Sequence, residues 1–418
     1  MRNNSGGLIG GAGGLTRRRF LLGTAQLGGV ALGASLLGAC GDGGAAAGSD
    51  TFDLGWIVPT TGSLASTLQP LLINGQIAVD EINAAGGILG RQIRPLKQDD
   101  EGAPAKEPTV IRALQDQRIQ YAFGPTGSSQ ALASLASSTP ARMIQCAWGN
   151  NADLADGNRY PYHYLAAYTT RQQAESVVGF AVDKLGTRKV AVIAEATAFG
   201  QQAAQFTADE LTKRGLSPTT SQVYPGDATS LATYVQTCRD SGADVLVAWV
   251  ANIKAGALMF DAMRNLKWAP PVVGHNALFI EAIFDLVPAE SLQNVYGTYY
   301  KTMTYTDSEQ PAQRYQDYAK KVMAYPEARG PAPNVAAAPY YDFLHILKQV
   351  VEDVGTFDPA KVKPALDAVK DYDGILGKIS FSAQDHGGFA TDEVALGVVA
   401  SGKDPRSQGV FRLRAPGT

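Results

Sequence analysis

Cysteine and histidine are scarce in this 418-residue chain, which has Cys40, Cys146 and Cys238 and four histidines at 163, 275, 345 and 386. No two of them stand at metal-ligand spacing, and no disulfide framework is visible, so neither a metal site nor any other cofactor is expected. Three catalytic patterns are missing as well: a phosphate-cradling GxxxxGK followed by Ser or Thr, a nucleophile elbow GxSxG, and a zinc-binding HExxH. Isolated Ser and His residues do not make a catalytic constellation, so no enzyme is expected. A basic run is also lacking outside the first forty residues. That leader carries four Arg and no acid, which leaves 32 basic and 39 acidic residues in 41–418 and excludes a nucleic-acid partner.

What is present fits a soluble body behind an export address. At 45% hydrophobic and 18% charged, the chain can bury a sizeable core, and its length suits two or three domains. The run Thr16-Arg17-Arg18-Arg19-Phe20-Leu21-Leu22 precedes an apolar, Gly/Ala-rich stretch ending Leu37-Gly38-Ala39-Cys40. A charged start, an apolar middle and small residues before a cut describe a secretory signal. The adjacent arginines with Phe-Leu resemble a twin-arginine signal. Leu-Gly-Ala-Cys resembles a bacterial lipobox, in which case residues 1–40 are a signal peptide and Cys40 becomes the lipidated N-terminus. The alternative is one membrane-spanning anchor, for which the apolar part is only just long enough. Residues 41–50, GDGGAAAGSD, read as a flexible tether.

From residue 52, short β-rich runs alternate with amphipathic helical patterns. Strands are predicted at Phe52–Val58, Gln92–Gln98, Tyr121–Phe123 and Met143–Cys146, with helices at Leu71–Ala85, Pro104–Gln117 and Ser129–Ser138 between them. The pattern restarts at the apolar strand Lys189–Ala194, followed by a helix over Gln201–Arg214 and further strands at Thr219–Tyr224, Asp244–Val250 and Pro271–Gly274. Such alternation predicts an α/β fold with parallel sheets covered by helices on both faces. A long helix near Val335–Val351 and another at Pro359–Lys370 close the chain's last third.

Five segments carry a family resemblance: VDEINAAGGILGR (79–91), PTTG (59–62), FGPTGSS (123–129), FGQQ (199–202) and YPGDATSLATYVQTCRDSGADVLV (224–247). In order and spacing they resemble the periplasmic branched-chain amino-acid-binding (leucine/isoleucine/valine-binding) proteins over about 52–415. The resemblance implies a type I periplasmic binding protein: two Rossmann-like lobes joined by three crossings, closing on a ligand as a hinge. It places the crossings near Ala167–Thr169, Gly297–Tyr300 and Gly377–Phe381. The first lobe is then 51–168 plus 300–378, and the second 169–299 plus 379–418.

The resemblance also implies a ligand site in the cleft. Ser128, with Ser129 beside it, opens a helix after a strand, where a hydroxyl and free N–H groups receive a carboxylate or carbonyl oxygen. Ala147, Trp148, Gly149 and Asn150 follow the next strand. Their loop, QCAWGNN, departs from the family's Ser-Pro-x-x-Thr pattern and is one residue longer. Trp148 either walls the ligand or belongs to the core, and Asn150 replaces the usual hydroxyl. Tyr168 and Thr169 sit at the first crossing. Phe199 matches an aromatic of the second lobe, where the family carries Tyr. Ala251 or Asn252 faces the cleft, whereas Trp249 is core. Asn276 matches a position where amino-acid binders carry an acid for the ligand's ammonium group, a bond that a neutral amide does not replace. Either Glu195 substitutes, or the ligand lacks an ammonium. The expected function is the solute-binding component of an ABC importer: a monomer anchored to the membrane through lipidated Cys40 in the periplasm or at the cell surface. It would capture a branched-chain amino acid, or a related amide or carboxylate, and pass it to membrane permease subunits. The alternative is an exported sensor that presents its ligand to a membrane receptor.

Overall fold

The computed structural model describes residues 51–62, 65–279, 283–325 and 337–418. The signal, Cys40 and the tether therefore lie outside the described residues. Residues 49–418 form one compact unit.

The first half of the body is built around strands β1 (Thr51–Ile57), β2 (Gln92–Gln98), β3 (Tyr121–Thr126) and β4 (Ile144–Trp148), all parallel in the order β2-β1-β3-β4. A short turn α1 (Ala65–Leu68) and helices α2 (Ile73–Ala84), α3 (Glu107–Asp116) and α4 (Ser128–Ser138) connect them. Parallel pairing demands such helical crossovers, which is why the β and α patterns alternate in the sequence.

After α5 (Thr170–Val178) and a π-helical turn over 179–184, the second half lays down β5 (Val190–Glu195), α6 (Ala198–Lys213), β6 (Thr220–Tyr224) and α7 (Ala232–Asp240). It continues with β7 (Val245–Trp249), α8 (Ile253–Asn265), β8 (Val272–Gly274), α9 (Ile283–Leu286) and β9 (Val295–Tyr300). Its six-stranded sheet runs β13-β9-β8-β7-β5-β6, where β13 (Val394–Val398) is the one antiparallel member. The central strand shows why VAVIA is apolar throughout. Val190, Val192 and Ala194 enter one hydrophobic cluster and Ala191 and Ile193 the opposite one, so both faces are buried.

Part of the last third returns to the first lobe. The pair β10 (Thr304–Tyr305) leads to α10 (Gln313–Ala324), whose Tyr318 hydroxyl donates to Asn74 of α2 at 2.6 Å. Helix α11 (Pro339–Val354) also packs on α2, and α12 (Pro359–Asp367) packs on α11. The hairpin β11 (Tyr372–Asp373) and β12 (Lys378–Ile379) follows, and β14 (Arg412–Leu413) ends the chain beside β10.

Two of the expected crossings meet local pairing in the structure. Gly297–Tyr300 lies inside β9 of the second sheet, where Gly297 is paired on both sides and residues 298–300 pair with β13. Gly377–Phe381 remains with first-lobe material, because the chain beyond it hydrogen-bonds to segment 155–167: Leu165 N–H to His386 O at 2.9 Å and Ala167 N–H to Gly387 O at 3.0 Å. The chain rejoins the second sheet at β13. Helix α6 starts at Ala198 rather than Gln201, because the Thr197 hydroxyl accepts the Gly200 N–H at 3.1 Å and caps the helix there.

Candidate functional site

In open α/β sheets, ligands bind beyond the carboxyl ends of the strands. Here the ends of β3 and β4 in the first lobe and of β5 and β8 in the second bring several of the expected residues together. Gly127 precedes α4 at φ 111°, a conformation that other residues rarely adopt. Ser128 follows as the first residue of that helix. Its Oγ accepts the N–H groups of Asn150 and Asn151, both at 3.1 Å. A hydroxyl oxygen has two lone pairs and one proton. With both lone pairs engaged, the proton is left to donate. Position 149 requires glycine, because a Cβ there would lie 2.9 Å from Ser128 Oγ and 3.0 Å from its backbone.

Asn150 is held from three directions. Its carbonyl accepts the Thr170 N–H, its Nδ2 donates to Tyr168 O at 2.9 Å, and its Oδ1 lies 3.3 Å from His275 Nε2. The neighbouring Asn276 donates from Nδ2 to the Tyr168 hydroxyl at 3.0 Å. The residues His275-Asn276, at the exit of β8, thus grip the Asn150 loop and the first crossing from across the cleft. Because Asn150 Oδ1 only accepts, Nε2 is the protonated nitrogen of His275, and Nδ1 accepts the Ala277 N–H at 3.3 Å. Burial without a charged partner pushes this imidazole down to about 3, so it is neutral at physiological pH.

Aromatic rings line the same space. Phe199 is buried in the first turn of α6, with its ring centroid 4.5 Å from His275 and 6.1 Å from Trp249. The Tyr168 ring packs against Tyr300 in a tilted arrangement, centroids 4.3 Å apart. Trp148 is 8% exposed, and its indole N–H has no hydrogen-bond partner among the described residues. Trp249 belongs to the core, its N–H donating to Thr207 at 2.9 Å.

Several expected residues are engaged elsewhere. Ala147 is fully buried in β4, and its N–H donates to His163 Nε2 at 3.2 Å, away from the group around Asn150. Thr169 forms a capping box with Gln172 at the start of α5. Asn252 caps α8 through the Lys254 N–H at 2.9 Å. The Glu195 carboxylate accepts the Ala251 N–H at 3.2 Å, and burial raises its pKa. Sequence reasoning missed His275, Asn151 and Gln202. The clue for His275 was position alone, one residue past a buried strand and next to Asn276.

Comparisons with known proteins bear on the fold and the family. The Leu/Ile/Val-binding protein homolog 7 of Brucella melitensis is 25% identical over 339 residues, covering 78% of this chain and 83% of that protein. The LivJ substrate-binding protein of Streptococcus pneumoniae in complex with isoleucine superposes with a TM-score of 0.72 at 20% identity, covering 87% of this chain and all of that one. A solute-binding protein of an ABC transporter from Rhodopseudomonas palustris, in complex with 3,4-dihydroxybenzoic acid, gives 0.69 at 19% identity, covering 84% and 93%. Both structures share the two-lobed fold. The periplasmic binding protein family model matches residues 51–404, and the chain belongs to that family.

Proposed function

We propose that this protein is the exported ligand-binding component of an ABC importer, and that its ligand is a small carboxylate or amide without an ammonium group. The observation that carries the ligand class is the Ser128 hydroxyl, which is committed to donating and therefore suits an oxygen acceptor. Around it stand neutral groups: Asn150, Tyr168, His275 and Asn276. A buried ammonium needs an acid beside it, since an unpaired buried charge is costly. At position 276 the residue is an amide bonded to Tyr168. Glu195, the alternative acid, holds the Ala251 loop.

In this reading Ser128, Gly149 and Asn150 present the first lobe to the ligand. Tyr168 contacts it from the crossing, while Phe199 and Asn276 close over it. The free indole N–H of Trp148 gives the ligand a second donor. Thr169, Asn252 and Ala147 act as scaffold. The lobes divide near residue 168, after Tyr305 and between Gly388 and Val394. Among the structures sharing this fold, one holds an aromatic carboxylate and one isoleucine, so both ligand classes fit the architecture and the polar groups decide between them. The mature protein is a monomer, held at the membrane by lipid on Cys40, that releases its ligand unchanged to permease subunits.

Thermal unfolding of residues 41–418 lacking Cys40 against a ligand panel tests the reading. A ligand at a hundred times its Kd stabilises the fold by about 2.7 kcal/mol. That is a shift of several degrees, at about 2–4 °C per kcal/mol. Aromatic or aliphatic carboxylates or short amides are expected to give the shift. A shift with branched-chain amino acids alone would reject the ligand class but keep the family role.

A further inference from the structure

The motif Phe199-Gly200-Gln201-Gln202 contributes Phe199 to the ligand cleft, and its last residue does something separate. Gln202 projects from α6 of the second lobe and is half-buried at the cleft rim. Its Oε1 accepts the Ala152 N–H of the first lobe and the Thr170 hydroxyl, each at 2.6 Å. Its Nε2 donates to Asp153 Oδ1 of the first lobe at 3.1 Å. One helical turn earlier, Ala198 extends the same seam. Its N–H donates to the Ser129 hydroxyl at 3.1 Å, and its carbonyl accepts Asn151 Nδ2 at 2.8 Å. Thus the first turns of α6 dock on the first lobe through direct protein–protein hydrogen bonds.

We propose that Gln202 is the clasp that holds the two lobes shut, and that it sets ligand retention without touching the ligand. A primary amide suits the position because it must accept two donors on one atom while giving a proton to a carboxylate on the other. A carboxylate keeps the first function and loses the second, placing like charges side by side against Asp153. Alanine loses both. The seam is made by the protein itself, so the closed arrangement is populated without ligand, and ligand binding adds to a bias already present. This inference rests on the two-lobed fold and not on the ligand proposed above.

Double electron–electron resonance on the folded body, residues 49–418, reads the distance between the lobes. Spin labels go on Gln117→Cys in the first lobe and Thr212→Cys in the second, both exposed positions. The native Cys146 and Cys238 are buried, and burial raises both thiols, so they do not label. With no ligand added, the Gln202-containing protein is expected to give mainly the short, closed distance. Gln202→Ala should lower the closed-to-open ratio about tenfold, the effect of roughly 1.4 kcal/mol from the lost bonds. Gln202→Glu should open the protein at neutral pH and close it again once the pH falls below the usual carboxylate range, while Gln202→Ala stays open at that pH. A merely structural role would not produce this acid rescue. Unfolding temperatures of all three proteins confirm that each is folded. A Gln202→Ala distribution matching the parent, a parent already open, or a Gln202→Glu variant indifferent to pH would each overturn the clasp.

Discussion

The two lobes solve one local problem with different chemistry. In each, a side chain at one strand's end captures backbone N–H groups at the exit of the next. In the first lobe the captor is the Ser128 hydroxyl, holding Asn150 and Asn151. In the second it is the Glu195 carboxylate, holding Ala251. A carboxylate so engaged has no proton to give. A hydroxyl so engaged has one left, and it must go to something else. In the proposed reading the first lobe meets the ligand's oxygen through Ser128, while the second supplies shape through Phe199 and closure through His275-Asn276. The same capture recurs deeper in the first lobe, where both oxygens of buried Asp342 accept the Ile375 N–H at 2.9 Å.

Ser128→Ala should break the first-lobe arrangement most severely. It strands two buried N–H groups and deletes the donor to the ligand, at about 1–3 kcal/mol for each unmet group. Ligand affinity should fall by at least tenfold, and the unfolding temperature by several degrees, in calorimetry and thermal melts.

Asp342→Asn should come next. Burial raises this carboxyl to about 7 from an ordinary value of 3.8. A folded-state pKa above the unfolded one means that the contribution is greatest below the unfolded value and is lost as pH rises through about 7. Urea unfolding between about pH 4 and pH 7 should show this loss in the parent, and a flatter profile in Asp342→Asn, whose amide oxygen still accepts the Ile375 N–H. Equal slopes would place the titration elsewhere.

The second-lobe captor should be more forgiving. Ala251 is exposed, so water replaces a lost acceptor there. Glu195→Gln keeps an acceptor and should leave ligand affinity within about twofold, well under the 1–3 kcal/mol of an unmet buried group. A large loss in the same titration would restore Glu195 as a ligand partner. Smallest of all, Asn252→Ala should cost about 1 kcal/mol as a lost helix cap and leave affinity unchanged. An affinity loss exceeding the stability loss would place Asn252 in the site.

The fold was legible where burial is periodic. The run at Val190–Ala194 is apolar because both its faces are covered, and the glycine pair after α2 marks its end. Boundaries were less legible wherever a local signal conflicts with the strand or helix. Gly124 and Pro125 read as a stop, yet β3 continues to Thr126. Phe199 reads as preceding a helix that the Thr197 cap already starts. The pairing of 380–388 with 155–167 was not legible, because neither stretch gives a periodic cue for it. Among the residues the fold gathers there, Ser128, Asn150, Tyr168, Phe199 and Asn276 were expected, since each stands at a strand end or crossing. His275 was not, because its partner Asn150 lies 125 residues away and a lone histidine carries no spacing signal. Thr169 and Asn252 cap helices in the structure, and the residue types that cap helices are also those that bind polar ligands.

The most direct test sets two molecules of one skeleton against each other in calorimetry: leucine and its keto acid, 4-methyl-2-oxopentanoate. They share the carboxylate and the branched chain and differ at the ammonium. If the cleft reads an oxygen acceptor among neutral groups, the keto acid binds the tighter of the two, and Ser128→Ala abolishes that binding. If leucine binds tighter by tenfold or more, an acid pairs its ammonium inside the cleft, and the neutral site described here is wrong.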